Sequence, residues 1–414
     1  MAPAHIYPRS VRTLVHEALR DTRIVFDMGA RQVGKSTLAR EVAAANAITT
    51  VLTLDDQATR EAALADPSGF IAGLSHPALI DEVHRAPDLL LSIKQDVDAH
   101  PDEVGRYLLT GSANVVTSRK VKDALTGRMD IVRLWPLSQT EIHERPGNVV
   151  DALLGGHPPL VTGAPVGRKA FASIAAAGGY PEARLRTGCR RERWFANYLE
   201  TTLDRDLRDI TDARRLDEAP RLLRYLAAQS AGLLSYRNVA AGLDLNHETV
   251  KEYVGLLQTI FLVRVLPAWR PGIGSREVQA PKCYVVDAGL LAHLLGADEA
   301  RIAGDDQVTG RLLESFVVTE ILKHVDWAVI GASAYHYRQR DDEVDLVLEN
   351  RAGDIAAVEV KAAASLRPKD WRPLEKLRDG RGERFKAGVV IYTGAQTLPL
   401  GDRVWAVPIS GLWS

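Results

Sequence analysis

Apolar positions along the first 135 residues fall into two periods. Short apolar runs near 22–28, 48–54, 77–81, 106–110 and 129–135 have the length of buried strands, and the stretches between them carry helical spacing. Strands alternating with helices predict a parallel sheet covered by helices on both faces. The pattern then changes. Residues 148–167 are rich in Gly and Pro and read as a loop leaving this core. Arg168 to Ala228 reads as helical, interrupted by the turn Gly178-Gly179-Tyr180-Pro181. Further on, Leu312 to Leu322 predicts an apolar helix, and Glu343–Leu348 and Ala357–Lys361 predict two strands joined through a turn at Gly353. The expected plan is an α/β core over 1–165, a helical middle over 166–270 and a second α/β domain over 271–414.

Residues 29–36 read Gly-Ala-Arg-Gln-Val-Gly-Lys-Ser and fit the phosphate-binding loop pattern G-x-x-x-x-G-K-[ST] without a mismatch. A strand (Ile24-Val25-Phe26) precedes the loop and a helix (Ser36 to Ala45) follows it, as the pattern requires. Gly29, Ala30, Arg31, Gln32, Val33, Gly34, Lys35, Ser36 and Thr37 would then wrap the phosphates of ATP, with backbone N–H groups and the helix N-terminus facing them. Lys35 would reach the β- and γ-phosphates and Ser36 would hold Mg²⁺. The strand Pro77-Ala78-Leu79-Ile80 ends in Asp81-Glu82, about where this loop needs a second motif. Asp81 would share the Mg²⁺, and Glu82 would polarise the attacking water. A third strand ends in Thr110-Gly111-Ser112-Ala113-Asn114, whose Thr110, Ser112 and Asn114 are each candidates to contact the γ-phosphate. Arg128, after Leu125-Thr126-Gly127, is a candidate arginine finger or sensor, acting in cis or from a neighbouring subunit, or else a plain surface arginine.

At 414 residues the chain exceeds one ordinary core, and 46% hydrophobic with 25% charged residues is globular. A net charge of −1 argues against a protein coated in positive potential. Cys189 and Cys283 are far apart and show no metal-type spacing, which points to a reduced, cytoplasmic protein. No apolar run is long enough to span a membrane. Between Arg184 and Arg224 lie eleven basic and eight acidic residues, a mixture that suits a salt-bridged helical surface better than a nucleic-acid patch.

Residues 233–268 form a small unit of their own. Ser235 to Ala241 predicts a short helix and Gly242-Leu243-Asp244 a turn. Asn246 caps a second helix, with Leu245 and Val250 as a hydrophobic staple and Val250, Val254 and Leu257 at helical spacing. Phe261 to Leu266 alternates as a strand. This is the order of a winged helix. Its outward face would carry His247, Glu248, Lys251, Glu252 and Gln258, and the two acids there suit domain packing or subunit contacts at least as well as DNA.

In the C-terminal part, strand period puts Glu343 with Asp345, and Glu359 with Lys361, each pair on one face. Glu314 shares an apolar helical stripe with Val317, Val318 and Ile321, a costly place for an unpaired acid. Carboxylates so grouped can hold Mg²⁺ or Mn²⁺ against a phosphodiester while a lysine stabilises developing charge; a hairpin with solvated ion pairs gives the same residue pattern. The set resembles the PD-(D/E)XK nuclease superfamily. Asp345 matches its metal-binding acid, Glu359-Val360-Lys361 its E-x-K tripeptide and Glu314 its helical acid; Val344 stands where many members have Pro.

The whole chain resembles a family of bacterial and archaeal ATPases in which an AAA-like P-loop domain is fused to a winged helix and a C-terminal nuclease-like domain of unknown function. The matching words include Gly29–Thr37, Ile80–Pro87, Leu109–Ser112, Gly127-Arg128, Pro136-Leu137-Ser138, Gly178–Glu182, Leu199–Leu207, Val286–Leu290, Glu314-Ser315-Phe316, Glu343–Asp345 and Glu359–Lys361. The resemblance implies ATP and Mg²⁺ as cofactors, an AAA-like assembly of several copies, and a restriction-endonuclease-like C-terminal domain with its own Mg²⁺ or Mn²⁺ on Asp345 and Glu359. Two readings stay open: an ATPase whose cycle controls cleavage of DNA or RNA, and an ATP-driven switch whose winged-helix and nuclease-like parts only bind protein or nucleic acid.

Overall fold

The computed structural model describes residues 5–112, 125–159, 161, 163–210, 218–271 and 279–413. Five parallel strands form the first sheet: β1 (Ile24–Gly29), β2 (Thr50–Thr53), β3 (Ala78–Asp81), β4 (Tyr107–Gly111) and β5 (Met129–Leu134), in the order β2-β3-β4-β1-β5. All five match the expected strands to within a few residues. Alternation divides their apolar side chains between two faces. Val25, Leu79, Leu108 and Val132 face the side covered by the helix Lys35–Ala45, while Ile24, Phe26, Ile80 and Leu109 face the helix Leu89–Ala99. Asp56 accepts from Thr59 N and caps the helix Gln57–Ala65, while Asp55 pairs with Arg85 at 2.5 Å.

Helices Arg168–Ala177, Pro181–Arg184, Gly188–Thr201, Thr202–Asp206, Leu207–Ile210 and Glu218–Ala228 follow. Next come helices Tyr236–Leu243 and His247–Thr259, then an antiparallel ribbon of β6 (Val263–Leu266) and β7 (Lys282–Val285). Asn246 accepts from Glu248 N as the cap of the second helix. Val250, Val254 and Leu257 are buried, whereas His247, Glu248, Lys251, Glu252 and Gln258 are exposed.

The second large sheet runs β12-β13-β11-β10-β9-β8, from β8 (Ala332–Gln339), β9 (Asp342–Asn350), β10 (Ile355–Lys361), β11 (Phe385–Tyr392), β12 (Leu398–Gly401) and β13 (Val404–Pro408). The helix Asp306–Val325 and the short helix Val149–Leu154 lie against it on one side, and the helix Arg372–Arg381 packs on the other.

One hydrophobic core extends from the phosphate-loop helix (Leu38, Val42) through Phe171, Phe195 and Leu290 to Val317, Leu346 and Val389. Three distant words of the sequence meet inside it. Gly179 N donates to Asp287 Oδ2 at 2.6 Å, and Leu137 N donates to Gly179 O at 2.8 Å. A Cβ on Gly179 would stand 2.3 Å from Leu137 O, so only glycine allows this approach. A buried polar seam lies nearby. Gln139 N donates to Glu320 Oε2 at 2.7 Å, Lys323 Nζ to Leu137 O at 3.1 Å, and Thr140 Oγ1 lies 3.0 Å from His324 Nε2. Each of these buried polar groups is satisfied across the seam, which ties the chain after β5 to the helix Asp306–Val325.

Candidate nucleotide site and C-terminal acidic site

The loop Gly29–Thr37 leaves the C-terminal end of β1, a central strand, and enters the helix Lys35–Ala45. Gly34 has φ +100°, and a Cβ on Gly29 would lie 2.1 Å from Leu134 O on β5. Both glycines are therefore dictated by backbone shape. Val33 is fully buried and plugs the loop into the core, while Thr37 is exposed at the helix start. Lys35 is buried, and its Nζ donates to Gly29 O at 3.2 Å and Ala30 O at 2.9 Å. Burial pushes the Lys35 pKa below its ordinary value, against the pull of Glu82 and Asp27.

Strand alternation gathers the polar partners on the face that meets this helix. Ser36 Oγ donates to Asp81 Oδ1 at 2.9 Å, and Thr110 Oγ1 donates to the same oxygen. Thr53 Oγ1 reaches Asp81 Oδ2 at 3.4 Å. A hydroxyl and a carboxylate in contact at the N-terminus of a helix, beside a loop whose glycines admit no side chain, suit a Mg²⁺–phosphate group. Thr110 is fully buried, and it accepts from Glu82 N at 3.0 Å. It thus positions Asp81 and Glu82 and is not directed at a γ-phosphate. Ser112 closes the described stretch, and Asn114 lies outside the described residues.

Glu82 adopts a left-handed backbone (φ 59°), which turns its side chain out of the strand direction; Oε2 lies 2.9 Å from His84 Nδ1. Burial raises the Glu82 pKa, but His84 and Lys35 outweigh it and bring it down to about 2. The carboxylate is ionised at every working pH.

Arg128 does not reach this site in cis. It precedes Met129, which pairs with Ile24 at the N-terminal edge of the sheet, whereas the loop leaves the opposite edge beyond Gly29. A strand of this length separates the two edges by about 17 Å. Its guanidinium instead binds Asp98 through Nε (2.5 Å) and Nη2 (3.1 Å).

Three groups that the sequence did not single out, Arg9, His84 and Asp27, complete the site together with Arg31 of the loop. Arg9 donates to Val33 O at 2.6 Å, Trp135 O at 2.7 Å and Glu141 Oε1 at 3.1 Å, clamping the loop to the chain beyond β5. Arg31 pairs with Asp206, which joins the loop to the helical stretch Thr202–Asp206. His84 sits on Glu82. Asp27, on β1 between Thr110 and Val132, is 1% exposed, and neither of its oxygens has a hydrogen-bond partner among the described residues. Burial raises its pKa to about 7, with Lys35 and Arg9 pulling down and Asp81 pushing up.

Residues 21–143 match the family model of the AAA domain. The segment is an AAA-type P-loop ATPase domain. Residues 168–301 and 309–412 match two further models, both described as domains of unknown function (DUF8612 and DUF4143). Uncharacterized proteins of Mycobacterium bovis and Mycobacterium tuberculosis are each 29% identical to the chain over 404 residues, covering 97% of it and 83% of theirs. Among solved structures, the Walker-type ATPase of Pyrococcus abyssi is 15% identical with a TM-score of 0.44, over 70% of this chain and 96% of its own. AMPPCP-bound DnaA from Aquifex aeolicus is 13% identical with a TM-score of 0.29, over 61% and 89%. Among the described residues no helix is long and apolar enough to cross a membrane.

The expected C-terminal residues also come together. Glu314 on the helix Asp306–Val325, Glu343 and Asp345 on β9, and Glu359 and Lys361 on β10 surround one patch, with Lys361 paired to Glu359. Val360 N donates to Asp345 Oδ2 at 3.0 Å. At its centre is Lys282 of β7, whose Nζ lies 2.8 Å from Glu314 Oε1, 2.8 Å from Glu343 Oε1 and 3.0 Å from Asp345 Oδ1. Burial works against its charge, but Asp345, Glu314 and Glu343 prevail and raise its pKa. Burial, then Asp345, raise Glu314 and Glu359. Among the described residues no group of three or more His, Cys, Asp and Glu side chains is arranged to hold a metal ion.

Proposed function

We propose that the AAA-type domain hydrolyses Mg-ATP and that its cycle works as a switch on the helical and C-terminal parts of the chain. The observation that carries this reading is the hydrogen bond between Ser36 and Asp81 at 2.9 Å, with Glu82 ionised beside it. Ser36 and Asp81 would hold Mg²⁺, which when bound neutralises charge on the β- and γ-phosphates. Lys35 exchanges the carbonyls of Gly29 and Ala30 for phosphate oxygens. The backbone N–H groups of Ala30–Thr37 orient the phosphates. Glu82, aimed by Thr110 and His84, accepts the proton of the attacking water. Arg31 and Asp206 form the link through which the loop state reaches the helical middle. Arg128 is left a role only towards a neighbouring copy, and a strictly monomeric mass in ATP by light scattering would remove that role.

Lys35→Ala is expected to lose ATP binding, whereas Glu82→Gln keeps binding and loses turnover; normal turnover by Glu82→Gln sinks the assignment. Turnover measured with single-stranded DNA, duplex DNA and RNA separates the two couplings. Stimulation by one of them makes this a nucleic-acid-coupled ATPase, and indifference to all three favours protein partners.

Cleavage of DNA or RNA by the C-terminal part is a second reading, supported by the convergence of Glu314, Asp345, Glu359 and Lys361. Lys282 among those acids speaks against it, since it occupies the oxygens a metal would need. We therefore place the nuclease-like part, with the winged-helix unit, as a binding module. Intact protein and Asp345→Ala should show the same trace nicking in Mg²⁺ or Mn²⁺, and nicking lost in Asp345→Ala would restore the nuclease.

A further inference from the structure

We propose that Lys282 is the resident cation of the C-terminal acidic site and closes it to divalent metals, so that metal entry and the seating of the β6–β7 ribbon exclude each other. The inference does not depend on the ATPase reading. An ammonium has three N–H donors, and Lys282 Nζ has three carboxylates within 2.8–3.0 Å, one for each. Its side chain is 2% exposed, so no water competes for those donors. Neighbouring groups add to this occupancy. Asp345 Oδ2 accepts from Val360 N, Lys361 holds Glu359 Oε1, and Tyr284 OH donates at 3.3 Å to the same Glu314 Oε1 that Lys282 holds. Glu359 Oε2 is buried without a partner among the described residues, but a single oxygen makes no cation site. A Mg²⁺ or Mn²⁺ ion would need these oxygens at about 2.1 Å and would stand where the ammonium stands.

The lysine comes from a different part of the fold than the acids. Lys282 begins β7, pairs with Leu266 of β6 and bridges to Leu233, so its stem is fixed by the ribbon and by the helical unit packed on it. Glu314, Glu343 and Asp345 belong to the helix and sheet of the C-terminal domain. The ion cluster therefore staples the ribbon to that sheet. Pulling the ribbon away would leave three carboxylates unneutralised in a partly buried site, which a divalent cation would then bind.

The test uses full-length protein carrying Ser36→Ala and Asp81→Asn, which removes the phosphate-loop metal ligands, and Mn²⁺ alone as probe, read as loss of the free-ion EPR signal. In this background, Mn²⁺ binding should be the same with and without Asp345→Asn. Adding Lys282→Met should create a site for about one Mn²⁺ per chain, and Asp345→Asn should abolish it. A background protein that already binds Mn²⁺ in a manner lost with Asp345→Asn overturns the proposal. So does a folded Lys282→Met protein, checked by near-UV circular dichroism, that gains no site. If Lys282→Met does not fold, the first comparison decides alone. Because the phosphate-loop ligands are absent throughout, either outcome leaves the ATPase reading untouched.

Discussion

Replacing Asp27 with asparagine is expected to stabilise the folded protein, and to do so more at pH 8 than at pH 5. The wild-type carboxyl is 1% exposed and lacks a hydrogen-bond partner among the described residues, so its charged form gains little inside. Burial moves its pKa from 3.8 to about 7. The folded state thus holds this proton more tightly than the unfolded chain does. The associated stability is fully present below pH 3.8, is lost as pH rises, and is gone above pH 7. At 1.36 kcal/mol per pH unit the full loss is ~4 kcal/mol, of which roughly a third to a half has already gone at pH 5. Asparagine carries no charge at either pH. Its gain is smaller than the full loss, because the variant also removes the attraction that Asp27 offers Lys35. A net stabilisation of about 2–3 kcal/mol at pH 8, falling by roughly half or more at pH 5, is the expectation. Urea denaturation of both proteins without nucleotide, at the two pH values, measures it. A variant no more stable than wild type at pH 8, or a difference that does not change with pH, refutes the reasoning and means that Asp27 is solvated or paired.

Asp206→Asn should lower stability by on the order of 1–3 kcal/mol through loss of the Arg31 ion pair, read as a lower melting temperature, and weaken coupling between the loop and the helical middle. Arg31→Lys should not replace that pair, because the planar guanidinium fork is lost; unchanged melting in both variants would show the contact to be idle. Gly179→Ala should cost about 3 kcal/mol or more, or prevent folding, since its Cβ would meet Leu137 O at 2.3 Å, while Gly163→Ala, with nothing within 4 Å, should lie within ~0.5 kcal/mol of wild type in the same melt. His84→Gln should raise the Glu82 pKa from about 2 and bring an acid limb into the pH profile of ATP turnover that wild type lacks; an unmoved profile would separate His84 from Glu82.

What was legible in the sequence was what local rules decide. The five strands of the first sheet follow from apolar runs of strand length, the cap at Asn246 from its position before a helix, and the loop Gly29–Thr37 from glycines whose absence of a side chain the backbone enforces. The grouping of Glu314, Asp345, Glu359 and Lys361 followed from period two on adjacent strands and from one helical stripe. Groups held by long-range contacts were not legible. Arg9 reaches Glu141, Arg31 reaches Asp206 and Lys282 reaches Asp345 across 63 positions, and no periodicity encodes such pairs. For Arg128 the structure removes only the role in cis. In a sheet of parallel strands, a residue at the start of one strand lies at the far edge from a loop at the end of another, a deduction the sequence already allowed. Thr110 is one of three candidates for the γ-phosphate, with Ser112 and Asn114, because it ends a strand, yet the carboxylate of Asp81 and the amide of Glu82 claim its hydroxyl first.

The bond between Gly179 and Asp287 has a consequence for how the molecule is made. Its partners are 108 positions apart, and those of Gln139 and Glu320 are 181 apart. At a synthesis rate of ~5–20 residues per second, the glycine turn leaves the ribosome about 5–20 s before the aspartate that secures it. Throughout that interval the newly made strands already carry a finished phosphate loop, but the apolar surface around Phe171 and Phe195 has nothing to close on. The nascent chain must wait, with or without a chaperone, for a strand and a helix that are still being translated. A fragment cut between Gly179 and Asp287 would keep the nucleotide-binding residues and be left in that waiting state for good.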